Sequence, residues 1–310
     1  MTTNILKSKR RSVKSFVPKR SDSRRKVPAG KIVCYVLLGL YCVWLFLPMY
    51  TILATSFTST EELTGSLSFV WLPKLTVDPY VNVFTGDINA MNTGIPSILL
   101  GFINTMWITL IPLICGLVVS GLSAYVFSKR RFKGRNFLFA INIAIMAFPI
   151  GAFTIVSYIF YETLGWVGTP LPLIIPGLFG GVGTVFFLRM FFDGIPDSII
   201  EAAKIDGLGF WGIFFKVMVP LAKPAFISQF IFGFVGGYNS YLMPLLYLEG
   251  NPNMITLQLV LSSMQNIYPG EGMQNIYCAA SVLGMLPLII IYIFLQKYFI
   301  EGIAQGGDKE

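Results

Sequence analysis

The sequence DSIIEAAKIDGLGFWGIFFKVMVP, residues 197–220, is the longest interruption of the apolar second half of the chain that is compatible with a cytoplasmic location. Ser198 and Glu201 have the S-x-x-E spacing of a capping box, which predicts that a helix starts here. Asp206 and Gly207 follow as a stop signal, since glycine adopts the left-handed backbone conformation that ends many helices. The pattern therefore predicts a short, well-delimited helix.

This short helix is predicted to be amphipathic. Its apolar side holds Ile199, Ile200 and Ala203, and its polar side holds Ser198, Glu201 and Lys204. Residues spaced three or four apart lie on one face of a helix, so the two sets face opposite ways. A second apolar turn follows and leads into the next hydrophobic run. We interpret the stretch as a docking element for a separate protein.

The composition is that of a membrane protein. Of 310 residues, 55% are hydrophobic and 12% are charged, whereas soluble chains average about 25% charged residues. The chain has no histidine, which excludes histidine-ligated metal sites and Ser-His-Asp catalysis. We expect no catalytic residue and no resident metal. The net charge of +8 does not indicate nucleic acid, because the basic residues lie beside apolar runs.

Six apolar runs are long enough to cross a bilayer. They cover residues 32–57, 98–127, 137–161, 173–192, 221–248 and 277–299. The predicted fold class is thus an all-α integral membrane protein with six transmembrane helices. The domains are a basic tail over 1–31, a six-span transmembrane domain over 32–300 that includes the loop 197–220, and a C-terminal tail over 301–310.

Charge is distributed unequally between the two sides of this arrangement. One side carries 22 of the 23 basic residues, and the other carries Lys74 with seven acidic residues. By the positive-inside rule, both termini, the SKRRFKGR loop at 128–135 and the loop 197–220 are predicted to be cytoplasmic. The location is predicted to be a cell membrane, which the chain crosses several times.

The chain contains no obvious energy source of its own. The central parts of the six runs carry no charge, although proton- and ion-coupled carriers usually retain one there. No phosphate-binding loop of the form G-x-x-x-x-G-K-[ST] is present. If this protein moves a solute actively, the energy has to come from a partner.

The loop 197–220 resembles the signature of importer-type ABC permeases, E-A-A-x3-G-x9-I-x-L-P. The matching residues are Glu201, Ala202, Ala203, Gly207, Val217, Val219 and Pro220, with valine in place of isoleucine and leucine. Asn104-Thr105, AYVFSKRRFKGR at 124–135, FLRMFF at 187–192, YNSYLMPL at 238–245 and QKYFIEGIAQGG at 296–307 resemble the sugar-importer subset, typified by the smaller permease of the maltose system.

This resemblance implies a maltose-type fold and a mechanism. The loop would form a cytoplasmic coupling helix seated on an ATPase subunit, and ATP with Mg²⁺ would bind only to that partner. The implied coupling residues are Ser198, Glu201, Ala202, Ala203, Asp206 and Gly207. The other implied partners are a second, different permease, a second ATPase and an extracytoplasmic binding protein that delivers a sugar. The chain would be a transport subunit and not an enzyme.

The fifth run suggests part of a substrate path. Gln229, Tyr238, Asn239, Ser240 and Tyr241 offer the aromatic faces, amides and hydroxyls that suit a sugar. Helix packing explains the same stripe equally well, because Gly233-x-x-x-Gly237 is a small-residue contact motif. Tyr238 and Ser240 replace the tryptophan and acid that the family often has, so the sugar is left open.

Two alternatives concern the function as a whole. The same architecture also serves importers of solutes other than sugars, and a channel or scaffold without ATP coupling is a more distant possibility. The polar segment 249–275, with MITLQLVLSSM inside it, is too short to span the membrane. The resemblance implies that it reaches the binding protein, and the alternative is that it only covers the spans.

Overall fold

A computed structural model describes residues 29–65, 74–85, 94–267, 270 and 272–307 of the chain. The basic tail predicted over residues 1–31 lies almost entirely outside them. The chain divides into two compact units, Met1–Pro48 and Met49–Glu310. In the first unit, the described residues form part of a single apolar helix whose side chains are exposed. The second unit holds every other element.

All regular elements in the described ranges are helical. They are α1 (Ala29–Ser56), α2 (Thr60–Gly65), α3 (Asp78–Thr85), α4 (Ser97–Lys129), α5 (Arg135–Met146), α6 (Thr154–Thr163), α7 (Leu171–Leu178), α8 (Val182–Asp193), α9 (Asp197–Ile205), α10 (Phe210–Ile213), α11 (Val219–Leu221), α12 (Lys223–Tyr238), α13 (Leu242–Tyr247), α14 (Leu257–Ile267) and α15 (Gln274–Gly307). Two 3-10 turns, Ile150–Phe153 and Pro252–Met254, and a π-helical turn, Phe214–Met218, complete the order.

Four helical segments in this part of the chain are long and apolar enough to cross a membrane. They are Gly30–Ser56, Ser97–Lys129, Leu171–Asp193 and Gln274–Lys297. The number rises to six if two bent pairs each count as one span: Arg135–Met146 with Gly151–Thr163, bent by 74°, and Phe210–Leu221 with Lys223–Tyr238, bent by 79°. The helical, membrane-type fold predicted from the sequence is confirmed at this level.

The fifth apolar segment differs from its predicted limits of 221–248. The bent pair begins at Phe210, and α12 ends at Tyr238, where Asn239 leaves the helix before the short α13. Prolines explain the bend, because Pro220 lies in α11 and Pro224 in the first turn of α12. Helix α15 continues into the predicted C-terminal tail, through residues 301–307.

Two hydrophobic clusters hold the second unit together. The first joins the C-terminal part of α4 to α8, α9 and the turn after α10, with Tyr125, Leu188 and Phe214 fully buried. The second joins the N-terminal part of α4 to α3, α12, α14 and α15, around Phe234 and Leu257. Helix α4 contributes to both clusters, so it connects the two halves of the unit.

A seam of glycines lets α7 and α8 approach the middle of α4. A Cβ on Gly116 would clash with the carbonyl oxygen of Gly177, and a Cβ on Gly180 would clash with the Ser120 hydroxyl. Gly180 also has φ +85°, in the region that favours glycine. The Gly181 amide donates a hydrogen bond to Ser120 Oγ at 3.0 Å. The glycine-rich sequence of the fourth apolar run is therefore a packing feature.

Candidate functional site

Helix α9 has one buried face and one exposed face. Ile200 and Ala203 are buried in the first cluster, and burying the isoleucine alone contributes about 1.5–3 kcal/mol. The exposed face holds Ser198, Glu201, Ala202 and Ile205, at the i, i+3, i+4 and i+7 spacing of a single helix face. Ala203, one of the predicted coupling residues, is thus buried inside the protein. Ile199 was predicted to lie on the apolar side of the helix, but its side chain is exposed.

The start of α9 differs from the predicted capping box. The N-cap residue is Pro196, no side chain caps the helix, and Ser198 lies inside its first turn. A hydroxyl caps a helix only from the position just ahead of the first turn, so the S-x-x-E pattern is offset by two residues. Glu201 is exposed and has no ion pair with any residue in the described ranges, which leaves its carboxylate available.

The end of α9 has the predicted form. Gly207 has φ +81°, its amide donates to the Lys204 carbonyl at 3.0 Å, and the Leu208 amide donates to the Ala203 carbonyl at 3.0 Å. This pair of hydrogen bonds is the Schellman motif. Asp206 is the C-cap residue and is exposed. No atom outside its own chain neighbours lies within 4 Å of a Cβ built on Gly207, so the turn faces open space.

The helical turns that follow split into a buried side and an exposed side. Phe214 is buried, and Phe210 packs against the same cluster. Trp211 and Phe215 are 60% and 51% exposed, and their rings stack with centroids 6.3 Å apart. The second apolar turn predicted from the sequence therefore has two sides: Phe210 and Phe214 hold it to the protein core, and Trp211 and Phe215 are exposed to lipid or another subunit.

The C-terminal end of α4 is fastened to the start of α9. Lys129 Nζ donates to the Ile195 carbonyl at 2.5 Å and to Asp197 Oδ1 at 2.9 Å. Ser128 Oγ donates to Asp193 Oδ1 at 2.6 Å. The hydrogen bond and positive charge of Lys129 hold the pKa of the Asp197 carboxyl below its ordinary value. The sequence analysis treated Lys129 only as part of a basic loop and missed these contacts.

A cavity of about 570 Å³ lies between α4, the α7–α8 junction and α12. Hydroxyl and amide side chains line it together with apolar ones. The polar lining residues are Thr105, Thr109, Ser120, Thr184, Gln229, Ser240 and Thr256. Such groups donate and accept hydrogen bonds without carrying charge, so the cavity surface suits a neutral, hydroxyl-rich solute.

The structure divides the predicted substrate-path residues. Gln229 and Ser240 line the cavity, and Asn239 and Tyr241 do not. Tyr238 points away from it: the side chain is buried, and its hydroxyl donates to the Gly284 carbonyl of α15 at 2.8 Å. The Asn239 amide donates to the Val235 carbonyl of its own helix at 3.0 Å. The aromatic cluster predicted from the sequence is therefore not assembled around the cavity.

The glycines of α12 serve helix packing, which was the alternative interpretation of the polar stripe. A Cβ on Gly237 would come within 2.6 Å of Thr109 Cγ2, and one on Gly233 would clash with Leu113. Both neighbours lie on α4. Because both glycines also line the cavity, close packing and the shape of the cavity depend on the same residues.

The segment that precedes α14 is held by the N-terminal half of α4. Asn104 Nδ2 donates to the carbonyls of Asn253 and Ile255, both at 2.9 Å. Thr105 Oγ1 accepts from the Leu257 amide at 2.8 Å. Helix α14 then buries Leu257 and Val260 in the second cluster. Asn104 and Thr105 had been noted only as part of a family pattern, and their structural role is to fix this segment.

Comparisons with known proteins agree with these features. Residues 116–305 match the family described as the binding-protein-dependent transport system inner membrane component. The arabinooligosaccharides transport system permease protein AraQ of Halalkalibacterium halodurans is 31% identical over 264 residues, covering 84% of this chain and 90% of that protein. The diacetylchitobiose uptake system permease protein NgcG of Streptomyces coelicolor is 28% identical over 276 residues, covering 88% and 87%.

A solved structure has the same fold. It is the crystal structure of a bacterial ABC transporter involved in the import of the acidic polysaccharide alginate, and one of its chains aligns with a TM-score of 0.74. The two sequences are 25% identical, and the alignment covers 87% of this chain and 96% of that one. The likeness therefore extends over nearly the whole length of both chains.

Proposed function

This chain belongs to the family of binding-protein-dependent transport system inner membrane components, and we propose that it is a transmembrane subunit of an ATP-driven importer for a sugar or oligosaccharide. The observation that carries the proposal is α9, a helix with one face built into the core and the other face exposed, which ends in a Schellman turn. The chain acts as a transport component, and the chemistry of ATP belongs to its partner.

The proposed topology has six spans with both termini in the cytoplasm of a bacterial cell. Counting each bent pair as one span supports the number six. The charge distribution supports the orientation, since it leaves the α4–α5 loop and α9 on the positive side. On that side α9 is in reach of a cytoplasmic ATPase.

The exposed face of α9 is the proposed ATPase contact. Ile205 is 86% exposed, and a large aliphatic side chain in that position suits an apolar pocket on a partner. Ala202 beside it allows close approach, and the Glu201 carboxylate is available for a basic residue of the ATPase. Sequence reasoning had not selected Ile205, although its i+4 spacing from Glu201 would have found it.

The proposed complex contains a second permease, two ATPase subunits and an extracytoplasmic binding protein. The second permease would complete the transport path, of which this chain supplies Gln229, Ser240 and the hydroxyls of α4. Closure of the ATPases would pull on α9 and rock the two permeases between their inward- and outward-facing states. The segment before α14 is the proposed contact for the binding protein.

A saccharide is the proposed solute because two observations support it. The relatives include permease proteins named for arabinooligosaccharides and diacetylchitobiose. The cavity is lined by uncharged hydroxyl and amide groups, which match the hydroxyls of a sugar. The proposed importer therefore takes a sugar or oligosaccharide and not an ion.

The test replaces Ile205 with aspartate. We expect Ile205→Asp to abolish co-purification of the ATPase with the tagged chain, because a charge would have to be desolvated in the contact. ATP-dependent uptake of labelled oligosaccharides into proteoliposomes should be lost with it. Helix α9 should stay folded, since Ile205 contributes nothing to the buried face.

The control is Leu75→Asp, the same kind of change at an aliphatic residue that is 80% exposed and outside α9. It should leave the ATPase bound. The docking proposal is wrong if Ile205→Asp retains the ATPase at the level of the control. The substrate proposal is wrong if the wild-type complex hydrolyses ATP and accumulates a solute that is not a saccharide.

A further inference from the structure

Lys129, the last residue of α4, differs in its contacts from the basic residues that follow it in the α4–α5 loop. The Lys129 side chain is 8% exposed although that loop is on the surface. It bonds to both sides of the turn into α9, through the Ile195 carbonyl and the Asp197 carboxylate. Arg131 and Lys133 are exposed. A role in membrane topology needs only the charge of these residues, so it does not account for the burial of Lys129.

The bonds of Lys129 lie at one end of a long helix that reaches the cavity. Helix α4 extends from Ser97 to Lys129 with Pro112 inside it, and beyond that proline it still lines the cavity with Ser120. The proline-free stretch from Ser120 to Lys129 spans about 14 Å at 1.5 Å per residue. A displacement of the last turn of α4 would therefore be carried to the cavity wall.

A second contact in the same place strengthens the attachment. Ser128 Oγ donates to Asp193 Oδ1 at 2.6 Å, at the end of α8. The adjacent Arg130 guanidinium carbon lies 5.3 Å from the centre of the Phe210 ring, just after α9. Ser128, Lys129 and Arg130 thus contact, in that order, the end of α8, the start of α9 and the first residue of α10.

We infer that Lys129 is a positioning residue that fastens the coupling helix α9 to α4, so that both move as one body when the ATPases close. This rests on the proposed function. The ATPase would then act on the cavity by two paths. One is α4, and the other is the chain that follows α9 directly, through α10 and α11 to α12. Loss of Lys129 should leave ATPase docking intact, because the exposed face of α9 does not include it, and should uncouple hydrolysis from transport.

The experiment measures solute transported per ATP hydrolysed by the complete complex in proteoliposomes. Lys129→Met keeps the length of the side chain and removes the donors. We expect the ATPase to stay bound and the transported solute per ATP to fall about fivefold or more, the scale of typical coupling energies. Lys129→Arg, which retains charge and donors, should restore most of the ratio. The matched control Lys133→Met should behave as wild type.

Two further outcomes decide the inference. Wild-type transport per ATP in Lys129→Met overturns it, and so does a loss of bound ATPase that accounts for the whole defect. If Lys129→Met does not fold, Asp197→Asn and Ser128→Ala replace it, and normal ratios in both overturn the inference. Failure of the proposed function would look different, since the wild-type complex itself would then transport no saccharide.

Discussion

The two ends of α4 hold their neighbouring segments by different chemistry. Near its N-terminal end, Asn104 and Thr105 bind the backbone before α14 through neutral, buried hydrogen bonds. At its C-terminal end, Lys129 and Ser128 bind the turn into α9 through charged and partly solvated groups. The Asp197 side chain in that second contact is 76% exposed.

This difference indicates what each contact contributes. Buried polar groups that lose their hydrogen-bond partners cost about 1–3 kcal/mol each, so the Asn104 contact suits a fixed wall of the path. An ion pair with one exposed partner contributes little to stability. The Lys129 contact therefore suits the proposed attachment of α9 to α4, whose loss should change coupling more than folding.

The most damaging change should be Gly180→Ala, because it breaks the seam that packs α7 and α8 against the middle of α4. The left-handed backbone disfavours alanine by about 1–2 kcal/mol, and overpacking against Ser120 adds about 1–3 kcal/mol. We expect the free energy of unfolding, measured by titration with a denaturing detergent, to fall by about 2–5 kcal/mol. Both ends of α4 should lose their contacts together.

The neighbouring Gly181→Ala is the matched control. Its nearest atom to a new Cβ is Thr184 Oγ1 at 3.6 Å, an ordinary contact, and its φ of −125° is open to any residue. It should change stability by less than about 1 kcal/mol. If both variants lose the same free energy of unfolding, the positive φ and the close approach of Gly180 to α4 have no special role in stability.

A smaller effect is expected from Asn104→Asp at a pH at which the new carboxyl is protonated. The variant keeps the shape of the side chain but loses the amide donor to the Asn253 and Ile255 carbonyls. Leaving these acceptors unpaired should cost about 1–3 kcal/mol in detergent unfolding, and the loss should grow at higher pH, where a charge would be buried beside them. Uptake should fall in proportion to folded protein, and transport per ATP should not change, in contrast to Lys129→Met.

Asn253→Asp makes the same chemical change in an exposed side chain of the same segment and should be close to neutral. If Asn104→Asp is equally mild, the N-terminal contact is not the rigid one. If it changes transport per ATP while stability is retained, the contrast between the two ends of α4 is wrong.

Local rules allowed much of the fold to be predicted from the sequence. Apolar run length gave the regions of the membrane segments, and the Gly207 stop followed from backbone sterics alone. The limits of the fifth segment were wrong because Pro220 was taken as the end of the loop, whereas the structure has helix on both sides of it. The start of α9 was misplaced because the capping-box pattern selected Ser198 as the N-cap residue. The N-cap residue is Pro196, which has no side-chain group to cap the helix and so gives no capping signal.

Contacts between distant residues explain what the sequence could not show. Lys129 is one of five basic residues in its loop, and its carboxylate partner lies 68 residues further along the chain. Tyr238 could have faced either way at the end of α12, and its direction is set by Gly284, 46 residues away. Gln229 and Ser240 were found because both belong to the polar stripe of the fifth apolar run, although Ser240 lies just beyond the end of α12.

The smallest effect should come from acidification, which tests the exposed ion pair by itself. The Lys129 hydrogen bond and charge, helped by Arg131 and Lys204, hold the pKa of the Asp197 carboxyl below its ordinary 3.8, against a small opposing effect of burial. A lowered folded-state pKa means that the carboxylate stabilises the protein fully above its unfolded pKa and ceases to do so as pH falls through the folded value. The difference in melting temperature between wild type and Asp197→Asn should therefore be constant above about pH 5 and should shrink below it.

High salt at neutral pH should shrink this difference as well, because exposed charges are screened. No difference at any pH or salt concentration would mean that Lys129 holds α9 through the Ile195 carbonyl alone, and the attachment would then resemble the neutral contact at the other end of α4.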